Sequence, residues 1–191
     1  MNYSNLYKAT RLFLIILPIV FLGWLMAQDL VVGGRLAASY DFCAPSPLVL
    51  TLAPKARISE IKKTAGDCYQ GLTDSPVYFD VRLPRQFKTI QVSIKYRATA
   101  EEKVQLAVFY NKDDWRFETK DFGLIQDLGN GWKVGEASFD LADKRFAYQK
   151  YQLMISLPEI RGSGREVDIS EIKILATREP LTWQRIWQRL K

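Results

Sequence analysis

Two hydrophobic patterns divide this chain. Residues 12–27, LFLIILPIVFLGWLMA, form an unbroken apolar run. From about residue 45 to 177, apolar and polar positions alternate instead. VYFDVRL (77–83) sets Val77, Phe79, Val81 and Leu83 against Tyr78, Asp80 and Arg82. TIQVSIKYRA (89–98) sets Ile90, Val92, Ile94 and Tyr96 against Gln91, Ser93, Lys95 and Arg97. Period-two alternation with β-branched and aromatic residues predicts strands. VQLAVFY (104–110) is more continuously apolar, and WKVGEASFDL (132–141), YQLMISL (151–157) and VDISEIKIL (167–175) follow. PLVLTL (47–52) and ARISEIKK (56–63) are two further strand candidates. The separators carry turn chemistry: Pro84, the stretch Asn111 to Asp114, and the glycine pairs at 129/131 and 162/164. Eight or nine strands with no amphipathic helix between them predict an all-β, antiparallel β-sandwich or jelly roll. A parallel α/β sheet is excluded because it needs crossover helices.

The first pattern predicts a different environment. Sixteen helical residues span about 24 Å, short of a hydrocarbon core of about 30 Å. Leu30, Val31 and Val32 extend the run past Gln28 and Asp29, so a helix over 12–32 would cross. Trp24 suits an interface, and Lys8 and Arg11 ahead of the run place the N-terminal side in the cytoplasm. A retained signal-anchor fits better than a cleaved signal peptide. Cuts after Ala27 or Ala38 put Leu25 or Leu36 where a small residue is preferred. Either way the following domain is exported. The expected layout is a cytoplasmic N-terminus (1–11), a transmembrane signal-anchor (12–32), a linker (33–44), the sandwich (45–177) and a terminal helix (178–191).

That terminal helix follows Pro180. Trp183, Ile186, Trp187 and Leu190 fall on one face at i, i+3, i+4, i+7 spacing. Cationic residues lie elsewhere around it, a composition that suits a membrane interface. The same face would equally dock on the chain's own domain or on a partner in a complex. A helix of about ten residues is marginal alone in water, so it needs one of these surfaces.

Cys43 and Cys68 are the only cysteines. An even count in an exported domain predicts a disulfide, with two unpaired buried cysteines as the alternative. Closing a loop of about 25 residues stabilises by roughly 3 kcal/mol in the chain-entropy model.

Charge and composition narrow the function. The 191 residues carry 27 Lys and Arg against 21 Asp and Glu, a net charge of +6. Residues 28–177 hold 21 basic and 20 acidic side chains, so the excess sits in the two end segments. Nucleic-acid binding concentrates positive charge on the domain, and this chain does not. Histidine is absent, which excludes Ser-His-Asp and Cys-His triads and HExxH zinc sites. No glycine-rich phosphate loop lies between a strand and a helix. No cofactor, metal or enzymatic activity is expected.

The strand order over 70–180 resembles the galactose-binding-like jelly roll shared by many carbohydrate-binding modules. VYFDVRLPRQFKTIQVSIKYRA looks like their opening paired strands. GNGWKVGEASFDL looks like their turn, Trp and F-D-L strand, and YQLMISLPEI with VDISEIKIL looks like their last two strands. The resemblance implies a sandwich and glycan or protein binding. Candidate ligand residues are Tyr110, Asp113, Asp114 and Trp115 in a turn, and Trp132 after another turn. Tyr110, Trp115 or Trp132 would stack on a sugar ring, and Asp113 or Asp114 would accept hydroxyl hydrogen bonds. Each has a plainer reading: a polar turn for the first group, a core or rim aromatic for Trp132. Two functions follow as expectations. One is a membrane-anchored module recognising cell-envelope glycan. The other is a non-catalytic accessory subunit of a membrane complex, docking through the sandwich and the Trp-rich tail.

Overall fold

The computed structural model describes residues 3–29, 34–44, 46–64, 67–83, 87–98, 103–111, 116–141 and 150–179. The chain divides into two units, one holding an N-terminal helix and one spanning Leu36–Glu179.

Helix α1 runs Tyr3–Asp29 and contains Pro18. Its side chains are described over 10–24, and all of them are exposed, including Leu12, Phe13, Ile19, Phe21 and Trp24. The helix thus begins nine residues before the apolar run, because residues 3–11 lack a helix breaker. Among the described residues, no helix is long and apolar enough to cross a membrane. Residues 180–191, with Trp183, Ile186, Trp187 and Leu190, lie outside the described residues.

The second unit is an antiparallel β-sandwich of eleven strands: β1 (Arg35–Asp41), β2 (Ile58–Thr64), β3 (Asp67–Leu72), β4 (Val77–Arg82), β5 (Thr89–Arg97), β6 (Gln105–Asn111), β7 (Arg116–Asp121), β8 (Leu124–Gly129), β9 (Trp132–Asp140), β10 (Lys150–Ser156) and β11 (Val167–Thr177). The larger sheet has the order β2-β3-β11-β5-β9-β8, with β1 also paired to β11. The smaller sheet has the order β4-β10-β6-β7. All six strongly patterned strands expected from the sequence form, within two residues of their bounds.

The differences have local causes. Within the expected linker, Arg35–Asp41 form β1, whose LAASY alternation is muted by small residues. The segment 47–52 and the residue that follows it make only single bridges to β4, Val49 to Val81 and Ala53 to Tyr78. They follow the edge of the smaller sheet without forming a continuous ladder. β7 and β8 escape the pattern because β7 is polar and every residue of β8 is exposed.

The core lies between the sheets. Phe79, Val81, Leu153 and Ile155 from the smaller sheet meet Ile90, Val92, Ile94, Phe139, Ile172 and Ile174 from the larger. These are the inward members of each alternating pair, as period two requires. Gly135 on β9 sits on this inner face beneath Phe122, whose ring stacks on Tyr96 at 5.5 Å. A Cβ there would meet Phe122 at 2.2 Å, so only glycine leaves room for the ring. Cys43 and Cys68 are joined in a disulfide, as expected, and it ties the segment after β1 to β3.

Candidate functional site

Alternation leaves each sheet an outer face, and the two faces differ in chemistry. On the larger sheet, register aligns Trp132, Arg97 and Asp168 across β9, β5 and β11, with Gly71 of β3 next in the row. Arg97 donates to Asp168 Oδ2 from Nε at 3.1 Å and from Nη2 at 2.6 Å. Its guanidinium carbon also lies 4.9 Å from the Trp132 ring centre and 5.3 Å from that of Tyr69. The ammonium of Lys95 approaches the Trp132 ring at 5.3 Å. The hydrogen bond to Asp168 holds the Arg97 guanidinium above its ordinary pKa.

The rest of this face is similarly paired. Lys62 meets Glu166 at 2.8 Å, Lys95 meets Asp67 at 3.4 Å and Lys173 meets Glu171 at 2.9 Å. Hydrogen bonding from Lys62 pushes the Glu166 carboxyl below its usual range, and the same bond raises Lys62. Glu136 accepts from Gln91 Nε2 at 2.8 Å and from Ser93 Oγ at 2.9 Å. Glu166 reaches Lys62 by crossing Gly71, where a Cβ would fall 1.4 Å from its Oε1. A groove of about 500 Å³ runs along Ala37, Ala38, Ile174 and Leu175 beside the Glu136 cluster. Trp132 therefore stands where carboxylates and rings hold the cations, although Asp168 Oδ1 in its row is buried with no hydrogen-bond partner among the described residues. Trp132 itself is half-buried, and two cations approach its ring.

The β4–β10 side of the smaller sheet presents the opposite case. Its outer positions are Tyr78, Asp80 and Arg82 on β4, and Lys150, Gln152 and Met154 on β10. Ser156 on β10, Gln105, Ala107 and Phe109 on β6, and Phe117, Thr119 and Asp121 on β7 complete the face; at its far end Asp121 accepts from Gln105 Nε2 at 2.6 Å and meets Lys103 at 2.9 Å. Register aligns Tyr78 with Met154 and Ala107 in one row. Asp80 pairs with Gln152, and Phe109 pairs with Phe117, so continuing the register makes these four the next row. Arg82 and Lys150 form the row after that.

The Phe109 and Phe117 rings are 5.0 Å apart, and Tyr78 lies 6.3 Å from Phe117. β4 and β7 are three strand spacings apart in the sheet, about 14 Å if it were flat. Ala107 beneath the Tyr78 and Phe117 rings is fully buried although it is outside the core between the sheets. The result is an apolar floor of two half-exposed rings and Met154. Beside it stand Asp80 and Gln152, half-buried, whose side chains hydrogen-bond no described residue. An aromatic surface next to a free carboxylate and a free amide can take a sugar ring flat and hydrogen-bond its hydroxyls.

The sequence candidates fall unevenly on this geometry. Tyr110 lies in β6, and its side chain is outside the described residues. Asp113, Asp114 and Trp115 lie outside them too, between the described flanks Asn111 and Arg116, which pair with each other. Trp132 is on the other sheet, away from the floor. Sequence reasoning missed Tyr78, Phe117, Asp80 and Gln152. Tyr78, Asp80 and Gln152 occupy the polar phase of strongly patterned strands, which reads as ordinary solvent-facing surface. Among the described residues, no three Cys, Asp or Glu side chains gather as a metal site.

No family model matches the chain, and no curated protein matches it in sequence. Solved structures of carbohydrate-binding modules align with it at low identity. The CBM22-1 xylan-binding domain of Paenibacillus barcinonensis Xyn10C aligns at TM-score 0.49 and 8% identity, over 74% of this chain and 94% of its own. The xylan-binding module CBM15 aligns at TM-score 0.47 and 15% identity, over 76% of this chain and 99% of its own. The mannan-recognising module TmCBM27 aligns at TM-score 0.44 and 12% identity, over 76% and 99%. The polysaccharides in these names are those proteins' ligands, and the likeness is one of fold.

Proposed function

We propose that this chain is a membrane-anchored, extracytoplasmic β-sandwich that binds glycan on the outer face of its smaller sheet. The observation that carries the binding reading is the floor of Tyr78, Phe117 and Met154 beside the unengaged Asp80 and Gln152. Apolar rings offer stacking to the C–H face of a sugar, and free polar groups beside them supply orientation. Three observations support anchoring and export. The described side chains of α1 are exposed and mostly apolar. Lys8 and Arg11 precede or open its apolar run. The disulfide fits an oxidising compartment.

The test is direct. Full-length protein in non-ionic detergent is titrated against a panel of soluble polysaccharides by calorimetry. At least one should bind, and Tyr78→Ala with Phe117→Ala should weaken it about 100-fold or more, as loss of two aromatic anchors does. Absence of binding to any polysaccharide would refute the reading.

A second reading, an accessory subunit, is favoured by one feature. The edge strand β8 exposes Leu124, Ile125 and Leu128 with no strand on its outer side among the described residues. Such an edge invites pairing with another chain. Recovery of a stoichiometric membrane partner lost on Leu124→Lys would favour it.

A further inference from the structure

Arg82 and Lys150 lie directly opposite each other on β4 and β10, at the end of the aromatic floor. Both are on the outer face by the alternation of their strands. Opposed like charges on neighbouring strands repel. On the larger sheet, lysines and an arginine in comparable positions each face a carboxylate. Here neither cation forms an ion pair among the described residues. The nearest acid by register, Asp80, occupies the next row with Gln152 and is not bonded to either.

An uncompensated cation pair adjoining a stacking surface is a place for an anionic oxygen group carried on a sugar. Resting on the glycan-binding reading of this face, we infer that the ligand is an acidic glycan, its sugar rings bearing carboxylate or phosphate. The ring of one residue lies on Tyr78 and Phe117. Its neighbour's anion sits between Arg82 and Lys150. The guanidinium fork donates to two oxygens of such a group, and the ammonium adds a compact second charge. Asp80 and Gln152, in the row between, are left to hydroxyls. The carboxylate of Asp80 keeps the anion in the Arg82–Lys150 row by repelling it from its own.

The experiment uses full-length protein in non-ionic detergent and three polymers. These are polygalacturonate, the same polymer after chemical reduction of its carboxyls, and a phosphomannan, whose sugar rings carry phosphate. At low salt, polygalacturonate or the phosphate polymer should bind about tenfold tighter than the reduced polymer, with the advantage shrinking as salt rises. Whichever of the two binds tighter identifies the anion. Arg82→Gln with Lys150→Gln should bring the acidic polymer to the level of the reduced one. The melting midpoint should not fall, because the substitution relieves repulsion. Equal affinity for acidic and reduced polymers would overturn the inference and leave the glycan reading standing. Absence of binding to all three and to the neutral panel would overturn both.

Discussion

On the outer face of the larger sheet, Arg97, Lys95, Lys62 and Lys173 each meet a carboxylate, and the rings of Trp132 and Tyr69 carry the cations. On the outer face of the smaller sheet, Arg82 and Lys150 meet each other, and Asp80 and Gln152 meet nothing described. Both faces use the same residue types at the same strand spacing. The difference is in which polar groups are answered within the fold: on the larger face the four cations are, with Asp168 Oδ1 left over, and on the smaller face Asp121 is, with Arg82, Lys150, Asp80 and Gln152 left over. An answered group orders its surface and leaves little for a ligand. An unanswered group keeps its hydrogen-bonding capacity and is the better candidate for recognition. Trp132 has two cations at its ring, so that ring offers a ligand less than Tyr78 and Phe117 do.

Three substitutions or conditions would break or sharpen this contrast. The largest effect should come from Arg97→Ala, which removes both hydrogen bonds to the mostly buried Asp168 and the cation over two rings. A loss of about 2 kcal/mol in unfolding free energy is expected, read by denaturant titration, with glycan affinity unchanged. If affinity fell as well, the larger sheet would not be merely structural. Gly71→Ala should cost about 1 kcal/mol, because Glu166 must leave its path across Gly71 to Lys62. Combining it with Glu166→Gln should cost less than the sum of the two, since both act on one contact.

The smallest effect is a pH dependence. Glu166 has its carboxyl lowered from 4.5 by Lys62, so its stabilising contribution is complete above that value. It is lost as pH falls through the depressed folded value, when the proton returns and the Lys62 bond weakens. The pair is partly exposed, so a few tenths of a kcal/mol are at stake. The stability difference between wild type and Glu166→Gln should shrink below about pH 4.5. A difference that stayed constant into acid would show that the pair contributes nothing.

The sequence by itself determined the layers of this protein. Period-two runs such as 77–83 and 89–98 name their own inward faces, because a strand's geometry leaves no other way to bury Phe79 or Ile94. The count of cysteines was even, and they joined. Weak alternation in LAASY and in β7 and β8 hid three strands, whose pairing is set by neighbours far along the chain. Only the tertiary structure decided which polar residues are answered. Lys62 and Glu166 are 104 residues apart, and Arg97 and Asp168 are 71. Tyr78 and Phe117 meet over Ala107 only because four strands assemble in the order β4-β10-β6-β7. Local pattern specifies which face a side chain takes. Long-range pairing specifies what it finds there, and that is where a binding surface parts from a structural one.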